Sequence, residues 1–121
     1  GIISSDLERS LVFYRMLGVS LPDYDADTGH YEGDLGGGVK LMLDSEAVMA
    51  SFIEGFTTPT GNDRIGLAVE CDTPNEVDET FSVVTTAGFE GIREPFDAFW
   101  GQRYSTVADP DGNAVDIYAA L

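Results

Sequence analysis

The sequence is poor in the groups that most enzyme chemistry uses. One cysteine, Cys71, stands among 121 residues, so no intramolecular disulfide can form and a thiol-ligated metal cluster is excluded. There is one histidine, His30, too little for the His-rich sites that first-row metals favour. Cationic side chains are scarce: 6 Lys and Arg face 22 Asp and Glu, for a formal charge of −16. That balance repels a nucleic-acid backbone or an anionic membrane, and neither is expected as a partner. No apolar run approaches the length of a membrane span, and no charged-then-apolar leader opens the chain. A cytoplasmic location is the expectation.

What is present suffices for a folded core. Hydrophobic residues make up 43% and aromatics 11% of the chain, which argues against disorder despite the charge. The length fits one domain over 1–121, and such a domain buries roughly two-thirds of its unfolded surface. Residues 1–60 carry 10 acids and 3 bases, and residues 61–121 carry 12 and 3, so the acidity is spread along the chain. Composition does not choose between solubility, salt adaptation and attraction of cations as its purpose.

Helical spacing of Leu7, Leu11, Tyr14 and Leu17 predicts a helix from Asp6 to Leu17, with Asp6 as N-cap and Gly18 beyond its end. Strands are predicted over 19–24, 30–35 and 39–44, the last two joined through Gly36-Gly37-Gly38, and a weaker helix or loop over 46–56. Thr57 to Asn62 is the best module boundary. Beyond it the pattern predicts a strand over 64–71, a helix over 73–87 with Pro74 in its first turn, and strands over 88–93, 103–108 and 114–119. Asp109-Pro110-Asp111-Gly112-Asn113 reads as the turn before the last strand. A first strand is expected to begin upstream of Gly1. Each half then reads β-α-β-β-β, with module 1 at about 1–60 and module 2 at about 61–121.

Strand alternation separates faces. Ile65, Leu67, Val69 and Cys71, then Val39, Leu41 and Leu43, then Val115 and Ile117, form apolar sides suited to packing on helices. Arg64, Gly66, Ala68 and Glu70, then Lys40, Met42 and Asp44, then Asp116 and Tyr118, form the mixed opposite sides. Those faces suit either a solvent-filled cleft or plain solvation. Cys71 falls on a helix-facing side as an inert thiol. No nucleophile elbow surrounds a serine, and Gly36-Gly37-Gly38 lacks the strand-to-helix context and the lysine of a phosphate loop.

Trp100-Gly101-Gln102-Arg103-Tyr104, followed by Asp109-Pro110-Asp111-Gly112-Asn113, resembles the C-terminal module of the vicinal oxygen chelate (glyoxalase/bleomycin resistance/dioxygenase) superfamily. Asp6-Leu7-Glu8-Arg9-Ser10, Phe13-Tyr14-Arg15 and Leu17-Gly18-Val19 are similar to its first helix. The resemblance covers essentially the whole chain. It implies an α+β fold in which paired βαβββ modules form an open half-barrel sheet around a cleft, helices outside, usually as a homodimer.

Catalytic members of that superfamily hold a divalent metal at four cleft-facing positions. By the resemblance the first falls before Gly1, and the others match Lys40, Arg64 and Asp116. Two of these are cations that repel a metal, so no metal and no cofactor are expected, and Lys40 and Arg64 are expected to pair with Asp116 or Glu70. The segments Pro59-Thr60-Gly61, Glu90-Gly91 through Pro95-Phe96, and Phe99 to Tyr104 resemble the non-metal antibiotic-binding branch, that of mitomycin-binding resistance proteins. There a histidine and a tryptophan, matching His30 and Trp100, sandwich a planar drug at a dimer-interface cleft. Flat side chains stack well on a planar ring, and Phe96, Phe99 and Trp100 cluster where turn residues would otherwise stand.

The expectation is therefore a non-enzymatic, homodimeric resistance protein. It would sequester a planar aromatic antibiotic: a mitomycin-like quinone, a quinoxaline, an anthraquinone-fused enediyne or a bleomycin type. Tyr104 would donate a hydrogen bond, Met42 would line the cleft, and Phe52 and Phe56 would cover it. The rivals are a metal-dependent lyase, transferase or dioxygenase of the same superfamily, and a binder or sensor of an unknown metabolite.

Overall fold

Helix starts in this chain are specified by short polar side chains. Asp6 accepts from the Arg9 amide and opens α1 (Leu7–Met16), and Thr73 accepts from the Glu76 amide and opens α3 (Pro74–Thr86). Glu76 reaches back to the amide of Asp72 at 2.8 Å, satisfying a second donor at the same end. The computed structural model describes residues 1–60 and 65–121. These form an α+β fold of two mixed sheets and three helices, and no helix among them is long and apolar enough to cross a membrane. The chain divides into two units, Gly1–Thr60 and Gly61–Leu121.

The first unit holds β1 (Ile2–Ser4), α1, β2 (His30–Gly36), β3 (Val39–Ser45) and α2 (Glu46–Phe52). Its sheet has the order β1-β3-β2, β1 lying parallel to β3 and β2 antiparallel to it. Ile2–Ser4 therefore form a strand themselves. The hairpin turns on Gly37 and Gly38, at φ +60° and +81°, a region that side-chain-bearing residues avoid. Tyr31, Leu41 and Leu43 are buried, as are Leu11, Phe13, Tyr14 and Leu17 of α1 and its exit, whereas Val39 is exposed despite its place in the alternation. The buried Ser4 and Ser10 hydroxyls bond each other at 2.7 Å.

The strand expected over 19–24 does not form. Its carbonyls are taken by a side chain: the Arg15 guanidinium donates to the carbonyls of Leu21 and Pro22 and pairs with Asp23. Pro22 has no amide to give a ladder. The segment instead presses on β2 at Gly33, where an added Cβ would lie 2.7 Å from Val19 Cγ1 and 2.9 Å from the Ser20 carbonyl. Tyr31 fastens the next stretch, its hydroxyl donating to the Asp25 carbonyl at 3.0 Å and accepting from the Asp25 amide at 2.8 Å. The weak helix expected over 46–56 ends early, at Phe52.

The second unit holds β4 (Leu67–Glu70), α3, β5 (Gly91–Ala98), β6 (Gln102–Ala108) and β7 (Ala114–Ala120), in sheet order β4-β7-β6-β5. β4 is parallel to β7: α3 returns the chain so that β5 runs the same way as β4, and the two antiparallel pairings that follow bring β7 to that direction. Under α3, Val77 and Val84 are buried, as are Val107, Val115, Ile117 and Ala119 of the sheet. Replacing a fully buried Ile117 by Ala removes contacts worth about 2–5 kcal/mol. β4 is shorter than the expected 64–71, and Ile65, assigned by alternation to the packed side, is 88% exposed. The strand expected over 88–93 lies at 91–98, displaced by register shifts at Arg93 and before Phe96, so Phe96 belongs to β5 and not to a loop. Asp109 accepts from the amides of Asp111 and Asn113 and from Asn113 Nδ2, which closes the turn into β7.

Candidate functional site

In the second unit, register places one set of side chains on the sheet face opposite α3. Thr106 stands across from Asp116 and Tyr104 across from Tyr118, and Phe96 stands across from Tyr104. Asp116 accepts from the Thr106 hydroxyl at 2.7 Å and is hydrogen-bonded to the Tyr104 phenol. Desolvation first, and that bond second, push the Tyr104 phenol up to about 12. Tyr104 is therefore a neutral donor at any ordinary pH and no general base.

The β5–β6 hairpin turns through Phe99, Trp100 and Gly101, with Ala98 opposite Gln102. The rings gather there edge to face: Trp100 lies 5.4 Å from Tyr104, 6.2 Å from Phe96 and 4.9 Å from Phe99. Trp100 is 48% exposed and Phe99 98%. The indole is held by a 2.8 Å hydrogen bond from its Nε1 to Gln102 Oε1. On the other side of the sheet Arg103 grips both carboxylate oxygens of Asp78, at 2.8 and 3.1 Å, and Asp97 at 3.1 Å. The motif residue Arg103 thus ties the hairpin to α3.

In the first unit, His30 stands across from Asp44, Glu32 from Met42 and Asp34 from Lys40. His30 bonds Asp44 through Nδ1 at 2.6 Å and Glu32 through Nε2 at 3.2 Å, and Lys40 pairs with Glu32 at 2.6 Å. Hydrogen bonding to Asp44, then to Glu32, raises the His30 pKa, favouring an imidazolium whose ring is held at both nitrogens. Met42 is exposed between them. Lys40 was expected beside Asp116 or Glu70; its carboxylate is Glu32, two residues from His30 on the neighbouring strand, while Asp116 is satisfied by Thr106 and Tyr104. Phe52 is 68% exposed at the end of α2 and Phe56 is half-buried beyond it. Arg64 lies outside the described residues.

Among the described residues the donors do not suit a metal. Lys40 is a paired ammonium, both ring nitrogens of His30 are engaged by carboxylates, and Asp116 accepts from the Thr106 hydroxyl. No group of three or more His, Cys, Asp or Glu among the described residues is arranged to hold an ion. Cys71 is half-buried, and burial pushes its thiol up, so little nucleophilic thiolate forms. An open recess of about 580 Å³ lies where α1 and α2 begin, lined by Asp6, Glu8, Asp27 and Glu46 among others. Its polar walls serve the helix ends: Asp6 caps α1, and Glu46 accepts from Thr58. It gathers no ring other than Tyr24, so the aromatic hairpin is the better ligand surface.

Sequence reasoning named Trp100, Phe99, Tyr104 and Asp116, and the structure brings these onto one unit. It did not foresee Gln102, Thr106 and Arg93 beside them, whose signal was only the pairing register. The fold is one that known proteins share. A family model described as the Glyoxalase/Bleomycin resistance protein/Dioxygenase superfamily matches residues 1–117, and the chain belongs to that superfamily. Among solved structures it is similar to a glyoxalase-related enzyme from Fulvimarina pelagi, at 21% identity and TM-score 0.79, covering 98% of this chain and 84% of that one. It is similar to a glyoxalase/bleomycin resistance protein/dioxygenase from Nocardioides, at 25% identity and TM-score 0.71, covering 99% and 80%. TioX from Micromonospora sp. ML1 is similar at 22% identity and TM-score 0.65, covering 99% and 94%. No curated protein sequence matches the chain. The superfamily holds both enzymes and resistance proteins, so membership defines a scaffold and leaves the activity to the site.

Proposed function

We propose that this protein binds a planar aromatic small molecule of the antibiotic kind and sequesters it without chemical change. The observation that carries the reading is Trp100: a half-exposed indole, fixed by Gln102 and buttressed edge-on by Phe96, Phe99 and Tyr104. A ring held in place stacks on a flat ligand with little ordering cost. Beside it the Tyr104 phenol and the Asp116–Thr106 pair supply fixed polarity, while nothing in that set is a poised base, nucleophile or metal ligand. Binding without turnover is what such a surface supports. A homodimeric, cytoplasmic protein of this kind lowers free drug by mass action, and needs a dissociation constant from nanomolar to low micromolar, about −8 to −12 kcal/mol.

The test is a titration of Trp100 emission, the chain's single tryptophan, with a mitomycin, a quinoxaline chromophore, an anthraquinone and a bleomycin. Saturable quenching by at least one, with the compound recovered unaltered, is the expected result. Absence of quenching by all four at tens of micromolar (about −6 kcal/mol) overturns the reading, as does stoichiometric metal uptake accompanied by turnover. Calorimetry on Trp100→Ala should show affinity weakened about 30-fold, as for a buried aromatic anchor. His30→Ala tests the histidine that the family resemblance assigns to the second flat contact.

A further inference from the structure

Three basic side chains among the described residues are paired with carboxylates. Lys40 has Glu32, Arg15 has Asp23, and Arg103 has Asp78 and Asp97. Arg93 differs: among the described residues it is in no ion pair. It stands on β5 across from Thr106, between the two register shifts of that strand, and such irregularities re-aim side chains. Its guanidinium carbon lies 5.6 Å from the Phe96 ring centroid. Phe96 in turn lies 6.1 Å from Tyr104 and 6.2 Å from Trp100. The guanidinium therefore borders the aromatic cluster, and it is near enough to the Tyr104 phenol to act on it electrostatically. The nearby carboxylate of that face, Asp116, is taken up by Thr106 and Tyr104.

We propose that Arg93 is the anchor for an anionic oxygen, a carboxylate or phenolate, carried by the aromatic ligand, so that the site prefers acidic planar aromatics to neutral ones. The inference rests on the aromatic-binding reading above and names the ligand's charge. Three features combine here. The guanidinium fork matches a carboxylate in two parallel hydrogen bonds. Its lean towards Phe96 keeps it beside a stacked ring without spending its donors. Salt screens the distant carboxylates of the chain, and the local Arg93 contact has to offset the one carboxylate named on that face, Asp116, two strands away across Thr106. The acidity of the chain then works for selectivity, since anions find few other cationic groups to bind.

The experiment compares two ligands of one shape, anthraquinone-2-carboxylate and anthraquinone-2-carboxamide, by quenching of Trp100 emission in the full chain and in Arg93→Gln. The expected result is that the parent binds the carboxylate about tenfold or more tighter than the amide. In Arg93→Gln that preference should vanish while amide affinity stays within about twofold. Amide binding doubles as the check that the variant is folded. Equal affinity of the parent for both ligands overturns the anchor and leaves the aromatic site standing. An equal loss of both ligands in the variant also overturns it, because Arg93 would then only support Phe96. Failure of both ligands to quench the parent overturns the aromatic site itself, and the anchor with it.

Discussion

Trp100 and Gln102, two residues apart at the β5–β6 turn, are joined by a 2.8 Å hydrogen bond from indole to amide. Gly101 between them takes φ +91°, which lets the chain reverse tightly enough for the bond to close. Gln102→Ala frees the indole to rotate. Loss of one net hydrogen bond, about 1 kcal/mol, predicts roughly fivefold weaker binding of a planar ligand. Calorimetric titration checks this, with an unchanged melting temperature showing that the sheet is intact.

The His30 cluster makes stability depend on pH in a definite direction. Bonds to Asp44 and Glu32 raise the His30 pKa above 6.5, so its contribution is complete below that value and is lost as pH rises through the raised pKa. Lys40 and His30 lower the Glu32 pKa below 4.5, so its contribution is complete above that value and is lost as pH falls through the lowered pKa. Both are fully present between 4.5 and 6.5. The difference in melting temperature between the parent and His30→Gln should be largest in that window and shrink above it. A difference that stays flat up to pH 9 (about 2.5 units above the ordinary histidine pKa) would contradict the assignment.

Gly33 is where the chain after α1 lies against β2. An added Cβ would meet the Ser20 carbonyl at 2.9 Å, backbone that cannot turn aside. Gly33→Ala should therefore cost about 1–3 kcal/mol in urea unfolding. Gly66→Ala is the control: apart from its chain neighbours, no atom of the described residues lies within 4 Å of its Cβ, and its midpoint should scarcely move.

Ser105 is fully buried on the α3 side of β6, across from Ile117, and its hydroxyl has no hydrogen-bond partner among the described residues. Burying an unpaired hydroxyl is unfavourable, so Ser105→Ala should be neutral or stabilising by up to about 1 kcal/mol. Destabilisation beyond that, measured by denaturant unfolding, would reveal a bonded water at the site.

Local signals were the legible ones. The Asp6 cap, the Gly18 exit and the hairpin turn at Gly36-Gly37-Gly38 act within a few residues, and each formed where the pattern placed it. Alternation placed Leu41, Leu43, Val115 and Ile117 in the core. It misplaced Val39 and Ile65, because a period of two gives the face of a residue and not whether a helix reaches that far along the strand.

Ring chemistry and the family were readable from Trp100 to Tyr104 and from the Asp109 turn. By itself the sequence determined the α+β class, the acidic charge, the scarcity of histidine and cysteine and the aromatic run at 96–104. Only the tertiary structure decided that residues 19–24 lie irregular under the reach of Arg15. It alone decided that Lys40 pairs with Glu32, that Asp116 is closed by Thr106 and Tyr104, and that Arg93 is left beside the rings. Each of these depends on cross-strand register or on a long side chain crossing to another segment. Such pairings are set by competition among many candidate partners in space, and spacing along the chain does not rank them.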